Sequence, residues 1–477
     1  MSDRPFDPQW TTDNSVLSAY LDRLCADLTA AETRRRRRRS EAQSRFEAAI
    51  RAIVLDLFRA HESDPELEVG ISTGWEALQD FSQSRYGASF ISARTFTDAM
   101  EILKSAGLIF VSTPHWDDPA KKNSRVARYM ATPKLLHGLD ATGTSTVDLR
   151  RHPNAEGIRL KDTEKSLIEY NDNTFANKAR DRLRSINNML KNHWADLALT
   201  DDQMAVELKR IARTRDKEAA QSFDFAARTV YRVFNNNDWA QGGRFYGAWW
   251  TSCSSALRPY ILIDGKRTVE VDYSGLHAAM LYAQAGKTIP DDPYERCLTG
   301  TGNTAERKLV KHTFNALLNA DNIDTINEIE SYSADLTGRG WQEFKRFVVA
   351  QYPEFHNHFG SGVGLRLQRK DSDLAETVML VFAGMGYACL PVHDSFIVHH
   401  GLAQDLASAM NEAFKTQFGI SGRVCIDIGV GEAVEPGDQP IEVDIGDLLD
   451  PSGYEARLLA FRQNRGRALL GDASCSL

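Results

Sequence analysis

Cysteine is scarce in this chain. Six occur in 477 residues, at 25, 253, 297, 389, 425 and 475. None forms a C-x2-C pair, so neither a zinc site nor a disulfide framework is indicated, and a reducing cytoplasm suits the usage. Long apolar runs are missing too: no stretch of about 18 apolar residues could cross a bilayer, and no N-terminal run makes a signal peptide. Neither a membrane partner nor a secretory route is expected. Net positive charge is also lacking, since 57 Lys and Arg face 65 Asp and Glu, a formal charge of −8. Contact with nucleic acid must then come from local basic patches. The remainder, 42% hydrophobic and 26% charged, is ordinary globular composition with room for two or three domains.

Two acids stand out against this background. In Thr268 to Ala283, TVEVDYSGLHAAMLYA, Val269 and Val271 alternate with Thr268 and Glu270 as in a half-buried strand, and an Ala-rich apolar run from Leu276 to Tyr282 follows as a buried helix. Asp272 sits where the strand stops. A second such junction is expected at Cys389 to Val398, CLPVHDSFIV, with Asp394 between two apolar runs. Between them, in ERKLVKHTFNALLNA, Arg307 and Lys311 share one helical face beside Phe314 and Leu318. In-line attack on an α-phosphate calls for two hard cations about 3.5–4 Å apart on carboxylates. A lysine and an arginine one turn apart can neutralise a triphosphate.

These stretches, in order and spacing, resemble the palm and fingers of the family A DNA polymerases and the single-subunit, phage-type RNA polymerases, over Gln241 to Val430. The resemblance implies an α+β fold, a right-hand palm–fingers–thumb core. It implies that Asp272 and Asp394 are catalytic and hold two Mg2+ ions, with Mn2+ able to substitute, and that His393 lies near the primer terminus. Arg307 and Lys311 would bind the incoming triphosphate, with Tyr273, His277, Asn315 and Asn319 completing the nucleotide site. Gly243-Arg244 resembles the Gly-Arg that touches the template–primer duplex, and Gln368 to Asp373 the stretch ahead of the second acidic motif, which puts Arg244 and Gln368 on nucleic acid. Three positions depart from the DNA-polymerase pattern or mix the two. His277 replaces the glutamate that screens out a 2′-hydroxyl, Asn319 replaces a tyrosine, and Tyr273 is the DNA-polymerase choice.

The first half of the chain lies outside the resemblance. Residues 1–40 form a helical segment, with Leu17, Leu21, Leu24 and Leu28 at helical spacing after an Asp13 or Asn14 cap. The run Arg34, Arg35, Arg36, Arg37, Arg38, Arg39 points to every side of a helix, so it is read either as a solvated connector or as a clamp on phosphates. Residues 41–140 read as three helices: Phe46 to Leu57, then Trp75, Leu78 and Phe81, then Phe96 to Leu103. A hairpin tipped by Lys121, Lys122 and Arg125 follows. This resembles a winged helix-turn-helix, which would present Ser92, Arg94 and Thr95 to the major groove. Residues 150–240 are basic and helix-rich and occupy the thumb's place, Asn235 to Asp238 is a turn-rich break, 241–435 is the catalytic domain, and 436–477 a tail. No proofreading carboxylate quartet is found in 1–240.

The expected function is a nucleic-acid polymerase using DNA and nucleoside triphosphates, its product left open and ribonucleotides accepted. One alternative is a DNA-binding replication initiator or regulator with a degenerate palm. Another is a DDE-type recombinase using Asp272, Asp394 and Glu432, which leaves Arg307 and Lys311 unexplained.

Overall fold

The computed structural model describes residues 3–118, 123–214, 223–298, 304–427 and 456–465. The apolar spacing of the first 149 residues closes a core of its own. Strands β1 (Asp3–Pro5) and β2 (Trp10–Thr12) precede α1 (Ser15–Ala31), whose free N–H groups are capped by Asn14: Val16 donates at 2.9 Å and Leu17 at 3.2 Å. Leu17, Leu21 and Leu28 are buried, as are Phe46, Ile50, Ile53, Val54 and Leu57 of α2 (Ser40–Ser63). Then come β3 (Glu68–Gly70), α3 (Trp75–Gln83), α4 (Ala93–Ser105), β4 (Ile109–Thr113), the small hairpin β5 (Trp116–Asp118) and β6 (Asn123–Arg125), and β7 (Arg128–Ala131). The sheet order is β1-β3-β7-β4. Trp75 is 65% exposed rather than part of this core, because it opens α3 one turn ahead of the buried Leu78.

The chain continues through α5 (Pro133–Asp140), β8 (Leu149–Arg151) paired with β2, β9 (Ile158–Leu160), α6 (Thr174–Lys191), β10 (Ala195–Leu197) and α7 (Asp201–Thr214). Its basic residues are largely spent inside the protein. Arg151 meets Asp7 at 2.6 Å, Arg180 meets Glu156 at 2.9 Å, Arg182 meets Glu376 at 2.9 Å, and Arg150 pairs with Asp13. The turn at Asn235 to Asp238 is not a domain break. It joins β11 (Tyr231–Asn235) to β12 (Asp238–Tyr246), with Asn236 and Asn237 at φ 56° and 54°, the left-handed pair a tight hairpin requires. β11 also pairs with β9, so a boundary at 240 would cut a sheet.

A second and larger core holds the rest. It contains β13 (Ile261–Ile263), β14 (Lys266–Tyr273), α8 (Leu276–Gln284), α9 (Thr304–Asn319), α10 (Ala334–Thr337), α11 (Trp341–Gln351), α12 (Gly364–Met385), β15 (Leu390–Val392), β16 (Ser395–His399), α13 (Ala403–Phe418) and β17 (Val424–Asp427). The sheet order is β10-β13-β14-β16-β15, with β17 on β14, all antiparallel. Helices pack on this antiparallel sheet, an α+β arrangement. Trp249 and Trp250 are buried in this core. The helical residues 456–465 lie against it, Arg457 gripping the fully buried Asp196 at 2.7 and 2.8 Å.

Candidate active site

Alternation along β14 decides which side chains can reach a ligand. Val269, Val271 and Tyr273 share the buried face, and Glu270 and Asp272 the other. Tyr273 therefore cannot line the nucleotide site expected of it. It is 2% exposed, packs on Phe414, and donates its hydroxyl to the Met410 carbonyl at 2.7 Å. Asp272 pairs in register with Ser395 of β16. Asp394 precedes that serine, in the two-residue turn joining β15 to β16, so the second junction is a hairpin rather than a strand entering a helix. His393, first of the turn, is exposed and holds φ 58°.

The two acids feel each other. Burial, and then the Asp394 charge, push the Asp272 carboxyl up to about 8, against the pull of Lys311. Asp272 Oδ1 is buried with no hydrogen-bond partner. Asp371, one turn beyond Gln368 on α12, is a third acid near Asp394. It accepts from Arg244 Nε at 2.8 Å and forms an ion pair with Nη2 at 2.6 Å, and burial with the Asp394 charge lifts it to about 7. Arg244, expected on the duplex, is instead held as the counter-charge behind these acids. His277 lies in the first turn of α8 with Nε2 buried and unpartnered; burial and then Arg244 hold it down at about 4, so it is a neutral imidazole. Partial loss of hydration in the turn, and then the Arg244 charge, likewise depress His393, whose side chain still reaches solvent. Glu270 is fixed by Arg258 at 2.8 Å and by the Ser395 hydroxyl.

On α9 the two cations part ways. Lys311 is half-buried and its charge bears on Asp272. Arg307 is drawn to Asp292, Nε to Oδ2 at 2.6 Å and Nη2 to Oδ1 at 3.2 Å, over the Tyr294 ring at 5.5 Å. Asn315 is half-buried; Asn319 is exposed, two turns or about 12 Å past Lys311, and donates back to the Asn315 carbonyl at 2.8 Å. Gln368 is half-buried and makes no side-chain hydrogen bond among the described residues. Sequence reasoning missed Asp371, Tyr294 and the Arg258–Glu270 pair. An acid three residues after Gln368 in a helix interior was the available signal for the first.

The two facing carboxylates, one with an orphaned oxygen, suit a hard divalent ion. Among the described residues no group of three or more His, Cys, Asp or Glu could hold a metal by itself. Two carboxylates with the remaining positions open are what a hard ion such as Mg2+ ordinarily takes from protein.

The expected nucleic-acid contacts scatter. Arg94 is exposed at the start of α4, but Ser92 is that helix's cap and Thr95 is buried. Arg125 is exposed, while Lys121 and Lys122 lie outside the described residues, as does Glu432. The arginine run is a loop between α1 and α2. Arg35, Arg36, Arg37 and Arg39 are exposed, but Arg34 meets Asp98 at 2.6 Å, and Arg38 is held by Glu32, by Asp98 at 3.0 Å, and over the Phe46 ring at 3.6 Å. Two half-buried acids and the buried Phe46 ring explain why Arg38 is neither solvated nor free for phosphate.

No protein-family model and no curated protein matches this chain. Among solved structures, it is similar to the POL domain of Pol1 from M. smegmatis, in complex with DNA primer-template and dNTP, at 12% identity and a TM-score of 0.27. The match covers 86% of this chain and 65% of that one.

Proposed function

We propose that this protein is a metal-dependent nucleotidyltransferase that extends a nucleic-acid 3′-hydroxyl with nucleoside triphosphates. One observation carries the reading: Asp272 near the end of β14 and Asp394 in the turn entering β16, far apart in sequence, come within electrostatic reach of each other, and the Lys311 charge bears on Asp272. Asp272 and Asp394 would hold Mg2+, whose charge would steady the triphosphate and acidify the attacking hydroxyl. Lys311 would neutralise phosphate oxygens. Arg307 can join it once it exchanges Asp292 for a phosphate, to which its fork is equally suited. Arg244, clamped by Asp371, would keep the acids in place without approaching the nucleotide. Neutral His277 lacks the anchored carboxylate that would make a clashing or unpaired contact with a 2′-hydroxyl, so ribonucleotides should be accepted. The helices α2 to α4 with the β5–β6 hairpin form a winged helix in this reading and would hold DNA through Arg94 and Arg125.

Primer extension with ATP and dATP, in Mg2+ and in EDTA, tests the proposal. Mg2+-dependent extension with both nucleotides is expected, with a shift toward dATP in His277→Glu. Absence of any extension on primed or unprimed templates would overturn it.

A further inference from the structure

Between the N-terminal core and the β9–α6 unit lies an open cleft of about 1050 Å³. Eight arginine and lysine side chains line it against three carboxylates, on a chain whose formal charge is −8. The carboxylates are shared. Asp7 faces Arg151 at 2.6 Å and Arg59 at 3.6 Å, and Asp172 faces Arg180 at 2.6 Å and Arg85 at 3.0 Å. Two lining cations, Arg159 of β9 and Lys191 at the end of α6, make no ion pair among the described residues. Arg159 Nε is buried with no hydrogen-bond partner, and its guanidinium lies 3.5 Å over the Tyr231 ring. A desolvated guanidinium without a carboxylate is unfavourable until an anion reaches it.

From Tyr231, in the cleft wall, ring contacts lead toward the acids. Tyr231 of β11 and Tyr246 of β12 are register partners with rings 6.4 Å apart, and the Tyr246 ring is 6.3 Å from His393, the neighbour of Asp394. Aromatic faces thus run from the cations to the catalytic turn.

We propose that this cleft binds one strand of single-stranded nucleic acid, with phosphates on Arg159 and Lys191 and a base on Tyr231, and leads it to the His393–Asp394 turn. Unpaired cations take phosphates in any sequence, and an aromatic face accepts any unpaired base. A duplex fits poorly, since stacked and paired bases offer Tyr231 no free face. The direction in which the strand leads rests on the polymerase reading; the binding itself does not.

Fluorescence anisotropy with a labelled oligodeoxythymidine of about 12 nucleotides, without nucleotide or divalent cation, tests this over a range of salt. Arg159→Gln with Lys191→Gln should weaken binding roughly tenfold and lower the slope of log affinity on log salt by about 0.7 for each phosphate no longer neutralised. Tyr231→Leu should weaken binding roughly tenfold with the slope unchanged. Arg159→Lys, which keeps the charge, should retain the slope and guards against misfolding as the cause. Unchanged affinity and slope in the double variant overturn the cleft assignment, and tighter or equal binding of a blunt duplex overturns the single strand. A wild type that binds as stated but extends no primer overturns the polymerase reading and leaves this one standing.

Discussion

Lys311 and Arg307 have the same spacing logic in the sequence and different surroundings in the fold. Because only Lys311 bears on Asp272 while Arg307 is held by Asp292, Lys311→Ala should cost about 2–4 kcal/mol in kcat/KM. Arg307→Ala should cost less, and steady-state kinetics on saturating template separates the two. Asp272 sets a pH dependence. Its folded value, about 8 against 3.8 ordinarily, means the native state binds more protons than the unfolded chain between those values. Protein stripped of divalent cations should therefore lose stability as pH rises from about 4 to 8, and Asp272→Asn should flatten that slope in thermal denaturation. Mg2+ needs the carboxylate, so its affinity should rise over the same window. Tyr273→Phe should cost about 1 kcal/mol of stability by leaving the Met410 carbonyl unpaired, with ATP and dATP selectivity unmoved. The acids were legible in the sequence because each interrupts an apolar run. The opposite facing of Tyr273 follows from strand alternation, but only once the letter match to the polymerase motif is set aside. The Asp292 partner was not legible, since no helical or strand period relates it to Arg307, fifteen residues on.

Elements were legible where a period had room to declare itself. The stripes of α1, α2 and α4 and the alternation of β14 are of this kind. Three-residue strands such as β3 and β15 are too short for a pattern, and β16, a five-residue strand buried at four positions, reads equally well as a helix segment. That is why the second acid was expected at a strand–helix junction and lies in a hairpin turn. Packing between elements was hidden altogether. Gly243 holds φ 85° and lets β12 approach α12 so closely that a Cβ would stand 2.7 Å from Ser372 Oγ and 2.9 Å from the Phe234 ring. That approach seats Arg244 against Asp371. Gly243→Ala should destabilise by about 1–3 kcal/mol and lower incorporation with it, measured by denaturant melts and extension rates on the same preparation.

The two cores are joined by ion pairs that no local pattern announces. Arg59 of α2, 7% exposed, reaches Asp56 of its own helix at 3.1 Å and Asp224 at 2.9 Å. Arg85 meets Glu156, Glu169 and Asp172. Arg59→Ala should cost about 1–3 kcal/mol, since it leaves the half-buried Asp224 without its cation while Asp56 keeps Arg4 and Asp7 keeps Arg151, and a melting temperature equal to wild type would contradict that. Removing residues 1–140 strips these partners and uncovers Leu149, which shares the N-terminal core. The most direct test of the central claim is single-turnover nucleotide incorporation by Asp272→Asn and Asp394→Asn, beside their affinity for primed template. Each substitution removes a charge that, in the proposed mechanism, would hold Mg2+, without changing shape. The account predicts loss of incorporation in both with template affinity retained; incorporation at the wild-type rate in either would contradict it.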